Sequence, residues 1–577
     1  MNRLLSLSLL LILAGSFLAS VIQTDNGSVS VRDIRFAGSA GQIMSGLLYV
    51  PETASAASPQ PAVLAIHGYI NSRETQSGFA IELSRRGFVV LALDQTGHGF
   101  SDPPAFAHGF GGPDGLAYLR SLPFVDRERV GLEGHSMGGW ASLMAASAYP
   151  DGYQTIVLEG SSTGTLGTAA GNAEFPKNLL LVFSRFDEFS SLMWGADIAE
   201  DIVDTEKLKT LFNTPESIIV GNMYGNIDDG SARKLLMPNV THPGDHHSPE
   251  AIGHAVKWLQ DILKPELSLD ASDQVWHWKE LGTFLALLGL GLLVIPLADR
   301  ILTTRLFETL VEKLPDHQAS KGKGWYLAAL CTIVIPIVTF FPLQTLGSSV
   351  IPANSLWSQD ITNGIIFWML GNSVISLIMF GLWVRFGENS IVSLKQLGVG
   401  SRYQLIRSLG FALLVVGLLY LVVIAVDFFF VIDFRLWVVA LKSMSRVHFF
   451  QFLFYAPAFC LFFIILGATL HTQLRQRYAS MRKAIAVNAG ILSAGFMVLL
   501  IVQYAPLFAG GSLAIATQPL LTIVAIQFVP LMIFIGCVST WGFYRTGSVF
   551  PGGFINGLFV CWYVVAGQAT QAIPLFG

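Results

Sequence analysis

The stretch Gly134-His135-Ser136-Met137-Gly138-Gly139 follows the short run Arg129-Val130-Gly131-Leu132-Glu133 and leads into Trp140-Ala141-Ser142-Leu143-Met144-Ala145-Ala146, a good helix opening. Small residues two before and two after a serine let the backbone make a tight strand-to-helix turn, which lifts the hydroxyl out of a sheet toward substrate. Ser136 is therefore the candidate nucleophile. With 56 glycines in the chain, a G-x-S-x-G match alone says little, so it is the strand before and the helix after that give this one its meaning.

Outward from this turn, residues 29–264 alternate strand-like runs with helical ones, the pattern of an open, mostly parallel sheet covered on both faces. Strands are expected at 46–49, 62–66, 89–93, 130–133, 155–158, 179–183 and 234–240, and helices at 77–86, 113–121, 138–148 and 249–262. Ligands in such sheets bind beyond the carboxyl ends of the strands. One such loop is His67-Gly68-Tyr69-Ile70-Asn71, where the Tyr69 N–H would form an oxyanion hole together with the Met137 N–H. A second is Asp94-Gln95-Thr96-Gly97-His98-Gly99-Phe100-Ser101.

In HGYIN, DQTGHGFS and GHSMGG, in that order, residues 30–265 resemble the α/β-hydrolase superfamily of serine esterases, lipases and peptidases. The opening residues 35–51 resemble the two-strand start of its esterase and peptidase branches. The family order of serine, acid, histidine implies an acid after the next central strand. That position is Asp187, with Glu188 beside it as rival. The resemblance implies His242 as general base, directly after the last strand, with His246 as the alternative. His242, Asp245 and His246 are also metal-ligand types, but their spacing matches no closed metal site. No metal or cofactor is expected. The long interval between Asp187 and His242 leaves an excess at about 190–222, which reads as a small helical cap over the site.

Composition divides the chain in two. Overall 52% of residues are hydrophobic and only 13% charged, far from a soluble average. Residues 23–275 hold 16 Lys and Arg against 30 Asp and Glu, whereas the remainder is basic and apolar. The acidic part argues against nucleic acid as a partner. All four cysteines lie in apolar runs, so no disulfide framework is expected.

Apolar runs of spanning length occur at about 281–298, 325–345, 361–384, 405–426, 449–470, 484–504, 519–541 and 549–573. Residues 4–22 form another, with a poor cleavage site, and are read as a signal anchor rather than a removed signal peptide. The expected organisation is an anchor at 1–22, an α/β-hydrolase domain at 23–270, and an all-α bundle of about eight transmembrane helices at 276–577. Loops 299–324, 385–404 and 471–483 are basic, while 346–360 and 505–518 have no Lys or Arg. By the positive-inside rule the N-terminus is cytoplasmic and the hydrolase domain extracytoplasmic. Loop 427–448 breaks the pattern with Arg435, Lys442 and Arg446, and is expected to lie in the membrane interface. The tail 545–556 faintly resembles the last motif of the CAAX-protease-like family, but Asn556 stands where that family has histidine.

These readings predict a multi-pass membrane protein whose outer domain is a serine hydrolase of small-molecule or lipid esters held at the bilayer. A serine peptidase or acyltransferase on the same triad is the enzymatic alternative. A transporter or scaffold with an accessory hydrolase domain is the other.

Overall fold

Val29–Ala37 (β1) pairs antiparallel with Ile43–Pro51 (β2) along its whole length, and β2 adds antiparallel to Val89–Asp94 (β4). From there the computed structural model continues in parallel through Gln60–Ile66 (β3), Val125–His135 (β5), Thr155–Glu159 (β6), Leu179–Val182 (β7) and Arg233–Leu236 (β9). Met223–Tyr224 (β8) closes the edge, giving the order β1-β2-β4-β3-β5-β6-β7-β9-β8. The structure describes residues 2–267, 269–315, 322–386, 397–476, 480–567 and 570–574; Lys321, Lys395 and Arg477 of the basic loops lie outside them.

Strand alternation builds the two faces. Ala62, Leu64 and Ile66 of β3 join the core beneath helices Gly112–Ser121 and Met137–Ala148. Val63 and Ala65 join the opposite core, beneath Ser77–Ser84 and Pro249–Leu263. Two expectations need correction. The last strand does not reach residue 240 but stops at Leu236, because Pro238 has no N–H to extend a ladder. The short edge strand β8 carries too little pattern to be read from sequence.

Beyond residue 275 most of the described residues are helical. Among the described residues eight helices, Asn2–Gln23 included, are long and apolar enough to cross a membrane. A ninth arises if Lys323–Val338 and Phe340–Val350 count as one span; within the expected run 325–345 they bend by 50° between Val338 and Phe340, where Pro342 has no N–H to donate to the Val338 carbonyl. Asn2–Gln23 lies antiparallel to Trp276–Leu302 at close range. A Cβ on Gly282 would stand 2.6 Å from Gly15 O, so only glycine permits this approach.

The two halves meet along one end of the bundle. Residues 427–445, expected in a membrane interface, make protein contacts across to the α/β domain. They include the hairpin Phe434–Leu436 (β10) and Val439–Leu441 (β11), which is docked on the α/β domain. Lys442 Nζ lies 2.7 Å from Glu74 Oε2 and donates to Ser72 Oγ at 2.8 Å, while Arg435 pairs with Asp433 at 2.7 Å. Two of the three basic residues that violated the charge pattern, Lys442 and Arg435, are thus paired with carboxylates, and both are buried. Burial works against the Glu74 charge, but Lys442, Arg73 and Arg435 overcome it and hold its carboxyl well below the usual range. The last helix ends at Gly567, short of the apolar run. Past it the tail pairs with the α/β domain, Gln571 N–H donating to Gly97 O and Ala105 N–H to Gln571 O.

Candidate active site

Ser136 sits between β5 and helix Met137–Ala148 with φ of 55° and ψ of −121°, a left-handed conformation costly for a side-chain-bearing residue. Crowding forces glycine on either side of it: a Cβ on Gly134 would stand 2.3 Å from the Gly138 carbonyl carbon, and one on Gly138 1.9 Å from Ile66 O. The turn is pinned from the next strand. Ser136 N–H donates to Glu159 O at 2.8 Å, and Ser161 Oγ donates to Ser136 O at 2.7 Å.

Asp187 and His242 come from the ends of two neighbouring strand-loop segments and meet at 2.8 Å, Oδ2 to Nδ1. Asp187 Oδ1 accepts the Phe189 N–H at 2.7 Å, so both carboxyl oxygens are fixed. Glu188, the rival acid, turns elsewhere: its Oε2 accepts the backbone N–H of His242 at 2.7 Å and its Oε1 accepts the Tyr504 hydroxyl at 2.8 Å. His246 packs against His135 with ring centroids 4.1 Å apart and the rings tilted by 52°, and neither of its ring nitrogens has a hydrogen-bond partner among the described residues. Its neighbours there include no carboxylate bonded to it, so of the two histidines His242 is the one oriented by an acid.

Electrostatics follow burial. Burial pushes the His242 imidazole down to about 4, and burial with Asp245 nearby pushes the Asp187 carboxyl up. The imidazole is therefore unprotonated at neutral pH, as a base requires. Burial and Asp187 push Glu188 up to about 8. Among the described residues no group of three or more His, Cys, Asp or Glu is placed to hold a metal.

Ser136, Met137, His242, Tyr69 and His246 all line one cavity of about 290 Å³. The loop bearing Tyr69 lies against the elbow: a Cβ on Gly68 would stand 3.1 Å from Ser136 Cβ. Ile70 of this loop is packed into the core of the helical bundle rather than that of the α/β domain. Of the segment expected as a cap, helices Ser190–Trp194 and Glu206–Phe212 form, and Leu192 and Met193 reach the cavity.

Sequence reasoning missed Gly160. It has φ of 52°, and a Cβ there would stand 2.8 Å from His242 Nδ1 and 3.2 Å from Asp187 Oδ2. Its place directly after β6 was a usable signal. Tyr504, Arg435 and Trp437 were also missed, and no local pattern links them to residues hundreds of positions away.

A sheet of this order, with a serine on a left-handed elbow after its central strand, defines the α/β-hydrolase class, and residues 29–263 have that fold. Residues 61–192 match the family described as alpha/beta hydrolase fold. The human serine hydrolase BPHL is 34% identical over 189 residues, covering 32% of this chain and 60% of that protein. Human dipeptidyl peptidase 8 is 31% identical over 139 residues, covering 21% of this chain and 16% of that one. An uncharacterized protein of Mycobacterium tuberculosis is 35% identical over 99 residues, 17% of this chain and 28% of its own length. The chain thus spans less than two thirds of each of these relatives, from 16% to 60% of their length. The esterase Pf2001 of Pyrococcus furiosus aligns with 42% of this chain and 96% of its own at 17% identity, with a TM-score of 0.31. Fold and relatives together support a hydrolase.

Proposed function

We propose that this protein is a multi-pass membrane serine hydrolase that cleaves carboxylic esters, lipid-linked esters included, with its N-terminus cytoplasmic and its hydrolase domain outside. The observation that carries the reading is the 2.8 Å His242–Asp187 pair on the cavity that Ser136 also lines. In this mechanism His242 takes the Ser136 proton through Nε2 while Asp187 fixes the tautomer at Nδ1. Ser136 Oγ attacks the ester carbonyl, and the N–H groups of Tyr69 and Met137 receive the oxyanion. The alkoxide leaves with the proton from His242, and water activated by the same imidazole then hydrolyses the acyl-enzyme to a carboxylic acid.

Labelling of full-length protein in detergent with a fluorophosphonate tests it. Wild type is expected to label, Ser136→Ala to lose labelling entirely, and His242→Ala to lose it by about three to four powers of ten in rate. His246→Ala should label. Folded wild type that does not label removes the proposal. The similarity to dipeptidyl peptidase 8 favours, as a second reading, a peptidase on the same residues. Mass analysis of products from ester and peptide substrates separates the two.

A further inference from the structure

Much of the cavity's wall is not made by the hydrolase domain. Leu520, Ile523 and Gln527 reach it from helix Pro519–Thr546, and Trp437 and Val438 from the turn between β10 and β11. Positions 520, 523 and 527 recur at the helical period, so one continuous face of that helix borders the cavity. Leu520 and Ile523 are aliphatic and Gln527 has its amide oxygen taken by the Tyr563 hydroxyl, while the bundle's Glu280, also on the lining, is paired with Lys279 at 3.0 Å. Trp437 is locked by its Nε1–H, which donates to Pro243 O at 2.8 Å, directly beside His242. Arg435 also borders the cavity, but Asp433 holds its guanidinium at 2.7 Å.

A cap usually supplies the apolar surface over a nucleophile elbow, yet the short helical segment after Asp187 contributes only Leu192 and Met193 here. The bundle stands in the place that a larger cap would fill. Its helix Pro519–Thr546 is one of those long and apolar enough to cross a membrane, so the wall belongs to the apolar bundle.

We propose that this face of the bundle is the acyl-binding wall of the site, and that the substrates are esters of medium or long unbranched acyl chains. The acyl chain lies from Ser136 along Ile523 and Leu520, packed under Trp437, so that residues hundreds of positions from the nucleophile set chain-length selectivity. This rests on the serine-hydrolase reading above.

The test uses full-length protein in detergent below its micellar interference and p-nitrophenyl acetate, butyrate and octanoate, which share a leaving group and differ only in acyl length. Wild type is expected to favour octanoate over acetate in kcat/KM by about tenfold or more, since each methylene buried in an apolar pocket adds to discrimination. Ile523→Trp, which fills the wall, should lower the octanoate-to-acetate ratio by about tenfold. Ile523→Ala, which deepens it, should instead move the preference toward longer chains. Wild type that labels at Ser136 with fluorophosphonate but gains nothing from acetate to octanoate overturns the acyl wall and leaves the hydrolase standing. Unchanged ratios in both Ile523 variants that still label overturn it equally. Absence of Ser136 labelling in wild type overturns the hydrolase reading itself, and this inference with it.

Discussion

Tyr504 donates its hydroxyl to Glu188 Oε1 at 2.8 Å, and the other oxygen of that carboxyl accepts the backbone N–H of His242 at 2.7 Å. One buried carboxyl thus ties a helix of the bundle to the loop carrying the candidate base. Tyr504→Phe deletes a hydrogen bond to a buried acid, an interaction on the order of 1–3 kcal/mol. Because Tyr504 acts through His242 rather than on substrate, kcat is expected to fall about tenfold with KM changed less than about twofold. Steady-state kinetics on a p-nitrophenyl ester check this, and wild-type kcat in the variant would show the bond to be idle.

Gly160 is the residue whose smallest change should matter most. Its φ of 52° disfavours any side chain, and a Cβ would press on the His242–Asp187 pair from 2.8 and 3.2 Å. Gly160→Ala is expected to lower the rate of fluorophosphonate labelling by about a hundredfold or more, as misplacement of a catalytic group by about 1 Å can. The melting temperature measured alongside should drop only modestly. Equal labelling rates in the two proteins would mean that the pair tolerates displacement.

The pH profile carries a sign that distinguishes this site from an exposed one. A general base works unprotonated, so kcat/KM rises as pH rises through its pKa in the free enzyme. Burial has taken His242 from the ordinary 6.5 to about 4, so the acid limb is expected near pH 4, with no loss of activity between pH 7 and 6. Measuring kcat/KM from pH 3.5 to 8 tests it. An acid limb at 6.5 would place the imidazole in water.

The central strands and the elbow were legible because each leaves a local mark, apolar runs of strand length and paired glycines, whereas Asp187 and His242 were singled out only through the order that the family resemblance implies. The end of β9 was misjudged, because apolar character continues past Leu236 while Pro238 silently removes the donor. The part of the site contributed by the helical bundle was illegible for a different reason. Loop 427–448 showed only an excess of Arg435, Lys442 and Arg446 over the charge rule; Arg435 pairs with Asp433 two residues away, and the carboxylate that explains Lys442, Glu74, lies in the other half of the chain. Charge patterns report which side of a bilayer a loop occupies, not what protein surface it is docked on.

The first helix should persist in the mature protein, because its removal would strip Trp276–Leu302 of the partner that its glycines are shaped to meet. Intact mass of purified protein is expected to include residues 2–23. Gly282→Leu, which drives a side chain into Gly15 O at 2.6 Å, should destabilise the protein by about 1–3 kcal/mol, read as a lower melting temperature in detergent. A mass lacking the segment, or an unshifted melting temperature, would refute the pairing.

Lys442 is the sharpest probe of how the two halves are joined. It is 3% exposed, sits 2.7 Å from Glu74 Oε2, and shares that carboxylate with Arg73 at 3.3 Å and Arg435 at 3.9 Å. Removing one member of a buried ion pair leaves its partner's charge in a poor solvent, a cost of about 3–5 kcal/mol. Lys442→Met is therefore expected to lower the melting temperature sharply. Glu74→Gln in the same protein should restore part of the loss, since the double variant no longer buries a carboxylate that has lost the nearest of its three cations. The coupling in a double-mutant cycle separates this from simple loss of packing, which would be additive. A large coupling between positions 74 and 442 requires the hairpin to be docked on the hydrolase domain in solution. Additive effects would mean that the halves do not meet there, and the acyl wall built from the same hairpin would fall with them.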